Sequence, residues 1–204
     1  MTPKKEKQSE ELIIVKRHWN NQVDEIKKSN GKIKLLIIGE APISVNQYYY
    51  NPIKNYQYLD DLINYYKPAK GMTIQDKHKL LIEKGILLIE LYPFPLASKL
   101  YDADKHFKFW DPIFFENQIK TLSTNGLIDD NPHLIFRYRK LCQNKSASKN
   151  VEKHINDEVL PILKAHGLHN KLLKKGTDYL TLTVGANGRG LTKDIDFLQF
   201  LKSL

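Results

Sequence analysis

Two carboxylates stand at the same kind of place in this sequence. Leu35-Leu36-Ile37-Ile38-Gly39 runs into Glu40, and Ile86-Leu87-Leu88-Ile89 runs into Glu90. A short apolar run without alternation suits a strand buried on both faces, and ligands of open α/β sheets bind beyond the carboxyl ends of such strands. There Glu40 could orient a water or stabilise positive charge at a reacting carbon, and Glu90 could accept hydrogen bonds from a bound base or sugar. Ala41-Pro42 follows Glu40, and Tyr48, Tyr49 and Tyr50 offer faces on which a base can stack. Near the end of the chain, the loop 185–190 reads G-A-N-G-R-G. Its glycines permit positive φ and close approach to a ligand, Asn187 is both donor and acceptor, and Arg189 is a planar set of donors.

Each group also has a plain structural use. Glu40 can cap a helix, Glu90 can pair with a lysine, and the tyrosines can pack beneath a loop. The loop at 185–190 lacks the spacing and position of a dinucleotide fingerprint, and the chain has no Walker A sequence. The histidines (His18, His78, His106, His133, His154, His166 and His169) are scattered. His166 and His169 read as a helix end, so neither a metal site nor a cofactor is expected.

The elements that must position these groups follow from periodicity. Leu12, Val15, Trp19, Val23 and Ile26 recur every three or four positions, which predicts an amphipathic helix over 10–28 that ends at Asn30-Gly31. Residues 1–9 are polar and read as a disordered tail. Strands are expected near 33–38, 86–91, 133–138 and 179–184. Helices are expected over 56–66, over 74–84 behind Thr73 as cap, and over 111–122 behind Asp111-Pro112, with Ile113, Phe114 and Ile119 available for burial. A further helix over 151–166 must accommodate Pro161, and a last helix follows Thr192. Strands and helices thus alternate, which implies a three-layer α/β/α domain around a central four-stranded parallel sheet.

Composition bounds the function classes. At 204 residues with 41% hydrophobic content, the chain is one globular domain over 10–204. A formal net charge of +9 suits a polyanionic partner, although lysine-rich composition alone can produce it. Cys142 is the only cysteine, which rules out an internal disulfide and a cysteine-ligated cluster. The polar start lacks an apolar signal region, and no run approaches the roughly 20 residues of a membrane span. The expectation is a cytoplasmic monomer with no membrane partner.

Taken together, the motifs resemble those of the uracil-DNA glycosylase superfamily. Gly39-Glu40-Ala41-Pro42 after a buried strand is similar to its first motif, in the G-E-A-P form of one branch. The aromatics Tyr48, Tyr49 and Tyr50 stand where that family stacks a flipped base, and 86–90 resembles its second motif strand. Asn187-Gly188-Arg189-Gly190-Leu191-Thr192 is similar to the late N-P-S-G-L-S motif. The resemblance spans roughly 33–204 by element order. It implies a DNA partner and hydrolysis of the N-glycosidic bond of a flipped base. Glu40 and Asn187 would be catalytic, and Gly39, Ala41, Pro42, Tyr48, Tyr49, Tyr50, Glu90 and Arg189 would bind substrate.

The chain also departs from that pattern. Ala41 replaces the catalytic Asp of the most active branch, Glu90 replaces an Asn that reads the base edge, and the late histidine is missing. The G-E-A-P branch carries a four-cysteine cluster that a single cysteine cannot build. A damaged or modified base therefore fits better than plain uracil. A non-catalytic DNA- or nucleotide-binding protein of the same fold, and a hydrolase of small nucleotides, are the alternatives.

Overall fold

Three strands build the sheet in the computed structural model, which describes residues 3–39, 63, 65–66, 70–93, 110–137, 153–175, 178–179 and 201–202. They are β1 (Ile33–Gly39), β2 (Ile86–Glu90) and β3 (Ile128–Arg137), all parallel, in the order β2-β1-β3. The central position of β1 explains its unbroken apolar run, since every residue except Lys34 is buried. All of β2 is buried as well.

Around the sheet lie α1 (Pro3–Lys28), α2 (Ile74–Glu83), α3 (Pro112–Thr124) and α4 (Leu160–Ala165). Val15, Trp19, Val23 and Ile26 of α1 enter the core, and Asn30 at φ 51 closes the helix as expected. Residues 3–9, expected as a tail, are helical instead. Lys, Glu and Gln are good helix formers and extend a helix without any burial. Thr73 and Asp76 form a capping box on α2, which buries Leu81 and Ile82. Gly85 (φ 71) then turns the chain into β2 where a Cβ would lie 2.7 Å from the Lys32 carbonyl oxygen. Asp111 caps α3 by accepting a hydrogen bond from the Phe114 N–H at 3.1 Å. Phe114, Phe115, Gln118, Ile119 and Leu122 are buried, whereas Ile113 is 68% exposed and does not join the core.

The chain crosses the sheet one way from β1 to β2 and the other way from β2 to β3. With right-handed crossovers, such a reversal sends the two connections over opposite faces. It also marks the carboxyl ends of β1 and β3 as the topological switch point, where open α/β sheets hold their ligands.

Two expected elements differ, and a third is described only at its first residue. The third strand, read near 133–138, begins at Ile128 and shifts register between Ile33 and Leu35 of its partner. Pro132 cannot donate to the ladder, and the Asp129 carboxylate accepts from the Asn131 N–H at 3.0 Å, so this stretch bulges. The helix over 151–166 widens into a π-helical turn at Ile155–Val159 before continuing as α4. Pro161 has no N–H for the carbonyl four residues back, and the Leu160 N–H reaches to Ile155 O, one residue further than an α-helix allows. Of the fourth expected strand, 179–184, only Tyr179 is among the described residues. Asp178–Tyr179 pairs antiparallel with Lys174–Lys175 in a separate ribbon, while Leu172 bridges Leu134 in parallel and the Leu173 N–H donates to Leu134 O at 2.8 Å. Among the described residues the outer edge of β3 is met at 172–173, and residues 180–184 lie outside them.

Candidate functional site

Gly39 and Glu90 are register partners at the carboxyl ends of neighbouring strands, and the Leu91 N–H donates to Gly39 O at 2.9 Å. The Glu90 side chain leans from β2 across β1. A Cβ placed on Gly39 would collide with Glu90 Oε2 and lie 2.9 Å from its Cδ. No positive φ is involved, so a glycine is needed here for space alone. Glu90 is 3% exposed. A solvated surface ion pair therefore does not describe it, and its carboxylate sits inside the sheet edge, beside the residue that precedes Glu40.

The exit of β2 is held from two further sides. Gln118 of α3, 1% exposed, donates from Nε2 to the Glu90 backbone oxygen at 2.8 Å. Tyr92 is fully buried, and its hydroxyl lies 3.4 Å from His154 Nε2 with the two rings stacked at 16°. Trp110 stands edge-on to His154 at 4.9 Å and to Tyr92 at 6.0 Å, and packs on Phe115. Its Nε1 donates to Glu158 Oε2 at 3.3 Å. Burial holds the His154 imidazole below the usual histidine range, against the opposing pull of Glu158 and Asp157.

This cluster was not legible in advance. Its members come from the β2 exit, the start of α3 and the π-helical turn, and no sequence spacing joins them. The one local signal was Pro161, since a proline inside a helical pattern announces a distortion such as the turn that follows His154.

Of the expected site residues, the structure brings Gly39 and Glu90 together. Glu40, Ala41, Pro42, Tyr48, Tyr49, Tyr50, Asn187 and Arg189 lie outside the described residues. His166 faces Glu116 at 3.5 Å and His169 faces Asn170 at 3.0 Å. Among the described residues no group of three His, Cys, Asp or Glu side chains could hold a metal, and no helix is long and apolar enough to cross a membrane.

The basic residues flanking the strands have a definite placement. Lys32 and Lys34 stand at the start of β1 and Lys84 just before β2. They mark the amino edge of the sheet, opposite Glu90. No protein-family model, curated protein or solved structure matches the chain.

Proposed function

We propose that the chain is a DNA glycosylase-like protein that hydrolyses the N-glycosidic bond of a flipped, damaged or modified base. In this reading the domain is three-layered, with a fourth parallel strand beyond β3 and a pocket at the carboxyl edge. The observation that carries the reading is the buried Glu90 carboxylate laid against Gly39, one residue before Glu40. It supports a polar site at the carboxyl ends of β1 and β2, one strand over from the β1–β3 switch point. Glu40 would stabilise the cationic sugar and position a water, while Asn187 and Arg189 would favour the departing base. Tyr48, Tyr49 and Tyr50 would supply the stacking face, and a target base would leave the helix to reach it.

Glu90 also bears on the substrate. An ionised carboxylate only accepts hydrogen bonds. Against O4 of uracil it would meet another acceptor, at a cost of roughly 1–3 kcal/mol for the unmatched pair. A base that presents an amino group or two ring N–H groups suits it better.

The deciding experiment is a panel of duplexes carrying different base lesions, scored for abasic sites by alkaline cleavage. Release of a base from at least one duplex is expected. Salt-dependent DNA retention without product would make the protein a binder, and turnover of mononucleotides with indifference to DNA would make it a nucleotide hydrolase.

A further inference from the structure

We propose that His154 is a positioning residue that acts through Tyr92 to fix the exit of β2, and with it the placement of Glu90 against Gly39. The assignment rests on the preceding reading only for what Glu90 does, since the coupling itself is a matter of geometry. Tyr92 lies two residues beyond Glu90, has no solvent exposure, and meets His154 both through its hydroxyl, at 3.4 Å, and through its ring. Between them, the Leu91 N–H closes the β1–β2 ladder on Gly39 O at 2.9 Å. Gln118 holds the Glu90 carbonyl from the α3 side. The exit strand is therefore clamped at Glu90 by Gln118 and at Tyr92 by His154, and the second clamp is the one whose charge can change.

The π-helical turn explains why His154 is available for this. A π turn carries one more residue than an α turn, so residues before it are rotated by roughly a quarter turn or more relative to those after it. Leu160 and Leu163 pack into the core after the turn, His154 is buried before it, and Ile155 and Val159 are buried at its two ends. The extra residue lets both sets face inward on one helix, and His154 thereby reaches Tyr92 and Trp110.

Among the described residues the groups facing the imidazole are Tyr92 from the β2 exit, Trp110 from the start of α3, and Asp157 and Glu158 from its own turn. The two carboxylates favour the imidazolium, and burial outweighs them. A protonated ring has donors alone, so the contact with the Tyr92 hydroxyl can persist only with the ring as donor, and a full charge is then held in a buried pocket. Below the normal histidine range, the clamp on the β2 exit should therefore loosen.

The test is amide hydrogen exchange and tryptophan fluorescence across pH 4.5–8 on the full chain. In the wild type, the protection of the Leu91 amide, corrected for intrinsic exchange, should step down several-fold as His154 protonates, because an opening that exposes the ring relieves the buried charge. Amides at Ile37 and Leu88 should show no such step. Trp110 emission should change over the same pH range. His154→Gln keeps a hydrogen-bonding group for Tyr92 without titrating, so it should retain most Leu91 protection and show neither step. His154→Leu should lose that protection at every pH. A wild type without the Leu91 step, or a His154→Gln variant that titrates like wild type, would overturn the assignment. On a duplex that the wild type processes, His154→Leu should lower kcat with little change in KM. If the wild type processes none, the glycosylase reading fails while exchange and fluorescence still judge the clamp.

Discussion

Replacing Gly39 by alanine adds one methyl group at the most crowded point of the sheet edge. The new Cβ would overlap Glu90 Oε2 and stand 3.1 Å from Oε1. The obstacle is the end of a side chain, but that side chain is 3% exposed and its backbone is tied to Gln118. Overpacking of this kind costs typically 1–3 kcal/mol. Against it, alanine lowers the entropy of the unfolded chain, which stabilises by about 0.4–1 kcal/mol where the native backbone suits it. Gly39 has no positive φ, so that gain applies in full. The net expectation is a loss of about 1–2 kcal/mol, a fall in Tm of roughly 2–8 °C for a domain of this size. The diagnostic measurement is a double-mutant cycle with Glu90→Ala, followed by urea denaturation with unchanged m-values. Once the carboxylate is gone the three nearest obstacles to the methyl are gone, so Gly39→Ala should change sign and stabilise by up to about 1 kcal/mol. An equal loss in both backgrounds would show that Glu90 is not what makes this position a glycine.

His78 is buried on α2, and burial pushes its imidazole down to about 4. The unfolded chain then binds the proton more readily, so the stability from this site is complete above the unfolded histidine pKa near 6.5. It is lost as pH falls from there toward about 4. Over that window wild type should lose about 3 kcal/mol more than His78→Gln, read by denaturation at a series of pH values. Asp111→Ala removes the acceptor for the Phe114 N–H and should cost about 1 kcal/mol in urea denaturation, while Asp111→Asn should cost little. On any duplex the protein processes, Glu40→Gln should remove most turnover and leave DNA binding nearly intact, because the amide keeps the shape and loses the charge. Undiminished turnover would move that role elsewhere, with Glu90 the next candidate.

Much of the scaffold was legible because it depends on local physics. The unbroken runs Leu35–Ile38 and Ile86–Ile89 suit strands buried on both faces, and they form them. Thr73 and Asp111 announced their helices, since capping is settled within four residues. Composition fixed the net charge and the lack of disulfides. Tertiary structure decided what depends on distant partners. Nothing local says that Ile113 faces solvent while Phe114 and Phe115 face the core, since that depends on where α3 sits. Nor does the chain announce that 172–173 meets β3, because strand adjacency is a choice among edges. The sequence placed Gly39 and Glu90 at strand ends, but the parallel register set them side by side and turned a glycine into the space that a carboxylate fills. Likewise Tyr92, Trp110 and His154 are separated by long stretches of chain. They meet only because a proline widened one helical turn and rotated a histidine into the core.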